Sequence, residues 1–225
     1  PADIMLVFDT SRSMGYESGL DRAKETALAI LGTLDPSSVR VGLATFDDAP
    51  TLVAPLSGDI ARVRTAVAGL RAGGDTQLAG ALAAVRLQLG DTPVPGRQRL
   101  ALLFTDGVVK DRDTLGLIQA GEELRAAEIA LHAFVFPSWE LQTEHLEVLA
   151  RLVQYPGTLL HVDPDPREVQ RVAADLVGYR PEAVAFRDLD VVDRIPANMR
   201  YVERSASPAA TYDAAAHTLT WRGIR

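Results

Sequence analysis

Residues 4–14, Ile-Met-Leu-Val-Phe-Asp-Thr-Ser-Arg-Ser-Met, limit what this chain can fold into more than any other stretch. Ile4 to Phe8 are apolar without a break, where a strand with one wet face would alternate. Such a run suits a strand covered on both faces, as in the middle of a parallel sheet. It ends abruptly in Asp9-Thr10-Ser11-Arg12-Ser13, so an acid and two hydroxyls at alternate positions leave the strand end on one side. Open α/β sheets carry their ligand sites at the carboxyl ends of such strands. Taken alone, the segment reads equally well as a polar loop capping the next helix.

The rest of the chain alternates in the same manner. Ser18-Gly-Leu-Asp21 has the pattern of a capping box, and Leu20, Ala23, Ala27, Ile30 and Leu34 form a helical stripe that Asp35-Pro36 stops. Val39–Phe46 reads as a strand and Asp47-Asp48-Ala49-Pro50 as a solvated turn. Thr51–Leu56, flanked by Pro50 and Pro55, reads as a short edge strand. Ile60, Val63, Val67 and Leu70 stripe a second helix, and Leu78, Leu82, Val85 and Leu89 a third that Gly90 ends. A strand at Leu100–Thr105, a helix over about 113–127 and a strand at Ile129–Phe136 follow. A Trp139–Val153 helix, a Leu159–Val162 strand and a helix from about Pro166 to Val177 close the series. Strands alternating with helices imply an α/β fold, a doubly wound and mainly parallel sheet with helices on both faces.

Two further stretches repeat the chemistry of the first. Leu100-Ala-Leu-Leu-Phe-Thr105-Asp106-Gly107 is a second buried-type strand ending in an acid and a glycine. Ala72-Gly-Gly-Asp75-Thr76 is a glycine turn that delivers a threonine to the start of an amphipathic helix. A D-x-S-x-S, a loop threonine and a T-D-G, in that order and each at the right kind of element, resemble the metal-ion-dependent adhesion site of the von Willebrand factor A domain, also called the integrin I domain. The resemblance covers roughly residues 2–178. It implies a six-stranded sheet whose one antiparallel edge strand is Thr51–Leu56.

Asp9, Ser11, Ser13, Thr76 and Asp106 offer oxygen only. Hard oxygen donors select Mg²⁺, Ca²⁺ or Mn²⁺ over softer metals, and neutral hydroxyls with water suit Mg²⁺ best. By the resemblance, Ser11 and Ser13 are direct ligands, Thr76 is direct or water-mediated, and Asp9 and Asp106 bind directly or through water. The ion would then keep a coordination position for an Asp or Glu of a partner protein, in adhesion or in assembly. Taken singly, each residue also fits a helix cap or a turn. Arg12 stands where the family usually has glycine, and it either pairs with an incoming carboxylate or points to solvent. Asp75 is expected to cap the third helix rather than to support the metal.

Composition removes several alternatives. The net charge of −7, with no basic run or aromatic-basic platform, argues against nucleic-acid binding. The absence of cysteine excludes disulfides, zinc–thiolate sites and thiol nucleophiles. No run approaches a membrane-spanning length, so no membrane insertion of this segment is expected. The strand already under way at Pro1-Ala2 suggests a piece of a longer protein, with an extracellular or cell-surface setting favoured and an intracellular assembly role sharing the same motif. A strand-end aspartate beside Mg²⁺ also describes haloacid-dehalogenase phosphatases, in which the acid is a nucleophile. Those enzymes need a second acid two residues on, where this chain has Ser11, and a well-placed lysine, for which Lys110 is the nearest candidate. A third possibility is a non-binding scaffold. His132, His145, His161 and His217 lack metal-ligand spacing, and Trp139 and Trp221 read as packing anchors.

From Tyr179 the character changes to β. Pro181–Val192, Asn198–Glu203 and Thr218–Trp221 read as strands between Pro, Ser, Ala and Asp loops. Residues 1–178 are therefore expected to form the α/β domain. Residues 179–225 are expected to form a β-rich tail that resembles part of the β-sandwich repeats of bacterial surface proteins, and that either packs its apolar face on the α/β domain or is a fragment of a larger β-domain.

Overall fold

The apolar run at the start of the chain forms β1 (Ala2–Asp9), buried along its whole length. Its side chains divide by parity: Ala2, Ile4, Leu6 and Phe8 enter one core and Met5 and Val7 the other. The computed structural model describes residues 1–90, 94–109, 114–153, 160–162, 189–194 and 211–224. The chain divides into two compact units, Pro1–Gly178 and Tyr179–Arg225.

In the first unit β1 is followed by a tight 3-10 segment (Arg12–Ser18), α1 (Gly19–Thr33), β2 (Val39–Phe46), β3 (Pro50–Ser57), α2 (Ile60–Ala68) and α3 (Leu78–Leu89). Then come β4 (Gln98–Thr105), α4 (Thr114–Ala126), β5 (Ala130–Val135), α5 (Thr143–Leu152) and β6 (Leu160–Val162). The six strands lie in the order β3-β2-β1-β4-β5-β6. All pairings are parallel except β2 with β3, so β3 lies at the edge, as its prolines suggested, and runs antiparallel, as the resemblance implied. α1 and α2 supply the core on one face of the sheet, and α3, α4 and α5 the core on the other. No helix among the described residues is long and apolar enough to cross a membrane.

Successive strands leave β1 in one direction through β2 and β3, and resume on its other side with β4. The crevice between the carboxyl ends of β1 and β4 is therefore the point where the topology reverses, the usual ligand position of an open α/β sheet. Phe8 pairs with Phe104 and Phe104 with Phe134 across the sheet. Their rings stack at 4.6 Å and 5.1 Å between centroids. This aromatic row lies one residue below Asp9 and Thr105 and fixes the floor on which the strand-end residues stand.

Several local expectations fail. Ser18 does not cap α1: its backbone is left-handed, with φ 60°, and its side chain makes no capping hydrogen bond. The N–H of Gly19 instead donates back to Met14 and Tyr16 carbonyls of the 3-10 segment. Asp75 does not cap α3, whose N-cap is Gln77. α5 begins at Thr143 rather than at Trp139, because Gln142 and His145 cap it reciprocally. Trp139 is therefore left in the preceding loop, 71% exposed, and is not a packing anchor.

In the second unit β7 (Leu189–Arg194), β9 (Thr218–Ile224) and β8 (Thr211–Asp213) form a three-stranded antiparallel sheet in that spatial order. β8 was not expected from the sequence. The expected Pro166–Val177 helix, the Asn198–Glu203 strand, Lys110 and the side chains of His161 and Trp221 lie outside the described residues.

Candidate metal centre

Asp9 is the last residue of β1 and is fully buried. Its Oδ1 accepts a hydrogen bond from the Ser11 N–H at 2.9 Å, which folds the chain back over the strand end. That turn sets the Ser11 and Ser13 hydroxyls 3.1 Å apart. Asp9 Oδ2 accepts from Thr105 Oγ1 at 2.8 Å, linking the ends of β1 and β4. Thr105 Oγ1 accepts in turn from the Gly107 N–H at 3.1 Å.

Asp106 follows β4. Its Oδ1 accepts from the Val108 N–H at 2.9 Å and its Oδ2 from Ser138 Oγ at 3.3 Å. Gly107 has φ 85°, and a Cβ there would stand 2.8 Å from Val135 Cγ1, so only glycine lets the chain turn in this space.

The threonine loop is carried to the same place by backbone contacts. The Gly73 N–H donates to the Thr10 carbonyl at 2.7 Å, and the Arg12 N–H donates to the Gly74 carbonyl at 3.1 Å. From the other side, Asp48 Oδ1 accepts from the Asp75 N–H at 2.8 Å. A Cβ at Gly74, where φ is 78°, would stand 2.9 Å from Asp47 Cβ. Asp47-Asp48 is the solvent-exposed turn expected of it, and it also buttresses the glycine loop. Asp75 serves this docking through its backbone.

All five residues singled out in the sequence are buried where chain-distant loops meet at the β1/β4 crevice. Ser11 and Ser13 touch each other, and Asp9 and Asp106 are near enough for each other's charge to matter. Thr76 joins through its loop, and its buried Oγ1 has no hydrogen-bond partner among the described residues. Burial first, and then the charge of Asp106, raise the Asp9 pKa to about 7, although hydrogen bonds from Ser11 and Thr105 oppose the shift. No basic side chain among the described residues offsets the Asp9 charge. Among the described residues no three His, Cys, Asp or Glu side chains gather. That pattern would miss a site made of two carboxylates and three hydroxyls.

The donor set suits a hard divalent cation. Two adjacent buried carboxylates without a counter-charge, and an unpartnered buried hydroxyl, are what a positive ion would relieve. Two supporting residues escaped the sequence reading. Thr105 was visible as the first letter of T-D-G, but its side chain's reach to Asp9 was not. Ser138 had no sequence signal at all.

Comparison with known proteins agrees with the fold of the first unit. The family model described as the von Willebrand factor type A domain matches residues 4–108, just under half of the chain. Sequence comparison with curated proteins gives no match. An aerotolerance-related membrane protein from Bacteroides fragilis is similar in structure, with TM-score 0.66 and 14% identity over 79% of this chain and 99% of that one. A von Willebrand factor type A structure from Catenulispora acidiphila has TM-score 0.67 and 18% identity, and covers 99% of this chain; the chain spans 54% of that structure's length. Proximal thread matrix protein 1 of the mussel byssus, with a zinc-occupied MIDAS motif, has TM-score 0.60 and 20% identity over 78% of this chain and 44% of that one. At these identities the structural likeness speaks to fold.

Proposed function

We propose that the first unit of the chain is a von Willebrand factor type A domain acting as a divalent-cation-dependent protein-binding module, which recruits an acidic residue of a partner through an open coordination position. Ser11, Ser13 and Thr76 would hold the ion by hydroxyl oxygen, and Asp9 and Asp106 by carboxylate or through water. When bound, the ion supplies an electrophilic position for one more anionic oxygen. This chain's own residues do the rest. Thr105, Ser138 and the backbone N–H groups of Ser11 and Val108 hold the carboxylates in place, as outer partners of a metal site do. Mg²⁺ is the proposed ion, with Ca²⁺ and Mn²⁺ as alternatives of the same class. A zinc-occupied MIDAS in the mussel protein supports metal binding at such a motif.

The observation that carries the proposal is the buried Thr76 hydroxyl, unpartnered on a loop tied by two backbone hydrogen bonds to the Asp9–Ser13 turn. Calorimetric titration of Mg²⁺ into wild type and Ser11→Ala tests it. Wild type is expected to bind and the variant to bind much more weakly. Equal affinities would remove the basis for the site.

Phosphatase chemistry is disfavoured by the same geometry. Asp9 is fully buried, and the second acid that such an enzyme needs two residues on is replaced here by the buried Ser11 hydroxyl. We read residues 179–225 as a β-rich appendage, part of a larger β-sandwich domain. An extracellular or cell-surface setting fits the likeness to a bacterial membrane protein.

A further inference from the structure

Two aromatic side chains stand exposed on the loops that follow Ser13 and Ser138, and the function proposed so far uses neither. Tyr16 is 41% exposed and Trp139 71%, and their ring centroids lie 6.4 Å apart with the planes tilted by 44°. They come from separate loops, each tied to a different part of the centre. Tyr16 is three residues beyond Ser13. Trp139 follows Ser138, whose hydroxyl donates to Asp106. The rings therefore meet beside the metal-binding loops, although 123 positions separate them in the chain.

The backbone on each side turns these rings outward. Ser13 and Met14 are buried, and Tyr16 breaks the 3-10 segment with an extended φ of −83° and ψ of 149°. Glu17 and Ser18 then both take left-handed conformations, φ 50° and 60°, which residues with a Cβ disfavour. On the other loop the Leu141 N–H donates to the Ser138 carbonyl at 3.1 Å, a turn with Trp139 at its corner. Neither ring belongs to the two cores of the sheet.

Rings tilted and this close form one continuous apolar patch rather than a slot for a third ring. Exposed tryptophan and tyrosine are the residues that most often dominate the energetics of protein interfaces. Arg12 lies between the two serines, exposed and without an ion pair among the described residues. Arg12 stands four residues before Tyr16 on the same segment, so the positive charge that it and a bound divalent ion would bring to this end disfavours a cationic side chain on the rings. A large apolar side chain meets no such repulsion, and an acid beside it is favoured by the same charge.

We propose that Tyr16 and Trp139 are a specificity platform. The partner is an exposed loop of a protein that presents Asp or Glu to the metal and, within about three residues, a large apolar side chain to these rings. The proposal rests on the metal-binding reading above. Arg12 adds a second contact for the acidic loop.

A library of disulfide-closed loops, panned against the 225-residue chain in Mg²⁺, supplies the probes. Recovered loops are expected to share an acid with a Trp, Phe, Leu or Ile within three positions, and to be released by EDTA. Trp139→Ser and Tyr16→Ser should each weaken them by about tenfold or more, while calorimetric Mg²⁺ affinity stays at the wild-type value. Four results would overturn the platform while Mg²⁺ binding is intact: acid-only loops, loops indifferent to both variants, loops that survive chelation, or no loops. Sedimentation showing wild type self-associated and Trp139→Ser monomeric would also overturn it, by giving the surface to a second copy. Absence of Mg²⁺ binding in wild type would instead fail the metal-site reading itself.

Discussion

Replacing Asp9 with asparagine separates the charge of the site from its architecture. Asparagine keeps an acceptor for the Ser11 N–H, and its amide nitrogen takes the place of the oxygen that Thr105 Oγ1 now meets at 2.8 Å. The threonine hydroxyl can turn and accept there. What disappears is a carboxyl whose pKa stands at about 7 in the folded protein, against 3.8 for an unperturbed aspartate, because of burial and of Asp106. A folded pKa above the unfolded one means that the native state holds the proton more tightly. The stabilisation is complete below about pH 4 and lost as pH rises through about 7. With those two values, metal-free wild type should lose about 3 kcal/mol between about pH 5 and about pH 8. For a domain of this size that is a fall in Tm of about 5–10 °C. Asp9→Asn should be flat across the same window and more stable than wild type at its upper end. Asp3 does not interfere, because its arginine partners hold its pKa below the usual value, outside the window. The histidines are common to both proteins and cancel in the comparison. Thermal melts in EDTA followed by circular dichroism read the difference directly. Saturating Mg²⁺ should then restore wild type at about pH 8 and leave the variant unmoved. A wild-type melting temperature independent of pH in EDTA, or a variant less stable than wild type at about pH 8, would refute the reasoning.

Thr76→Val removes a buried hydroxyl that lacks a partner, so the metal-free protein should gain about 1–2 kcal/mol in urea unfolding while Mg²⁺ affinity falls. Gly107→Ala places a Cβ 2.8 Å from Val135 Cγ1 at a φ of 85°, and should lower stability by about 2–4 kcal/mol by the same measurement. At the opposite end of β1, Asp3 is buried and held by Arg40 and Arg97. Burial alone would raise its pKa, but these two arginines outweigh it and lower it. Asp3→Ala should therefore cost about 3 kcal/mol at neutral pH, a loss that shrinks as pH falls through the lowered pKa and protonates the wild-type carboxyl.

The parts of this fold that the sequence revealed are those in which one residue type can do one job. An unbroken apolar run such as Ile4–Phe8 has nowhere to go but between two cores, and Pro50 and Pro55 confine their strand to an edge. The five candidate oxygen donors were visible because Asp9, Ser11, Ser13 and Asp106 follow the ends of apolar strands and Thr76 stands just before an apolar helix. Residues with several possible jobs were misread. Ser18 and Asp75 have the chemistry of caps, but their local backbones were set by the 3-10 segment and by Asp48. Trp139 reads as the first residue of a helix and as a packing anchor, and only the Gln142–His145 cap, a pair with no strong signature, excludes it from the helix. Ser138 and the Thr105 side chain act across the sheet, and contacts of that range leave no trace in spacing. β8 is three residues long, too short for alternation to register.

The two ends of β1 make the most economical case for a cation. Both carry a buried aspartate on the same strand of the same sheet. At Asp3 two guanidiniums supply the positive charge, at 2.5 Å and 2.7 Å. At Asp9 the neighbours are hydroxyls, backbone N–H groups and a second buried carboxylate, and the proton becomes the ligand of last resort near neutral pH. A scaffold with no binding role would gain by treating Asp9 as Asp3 is treated, or by replacing it with an apolar residue of similar volume, which is often neutral or stabilising. This chain instead adds a cramped glycine at Gly107, an unpartnered hydroxyl at Thr76 and two left-handed residues after Tyr16, all at that one end. Left-handed non-glycine residues alone cost about 1–2 kcal/mol each. Local penalties grouped in this way are the pattern of a site organised around something that arrives from outside. A divalent ion held by oxygen offsets the charge and the orphaned hydroxyl together, and an acidic partner loop lying on Tyr16 and Trp139 would give the strained turn its use.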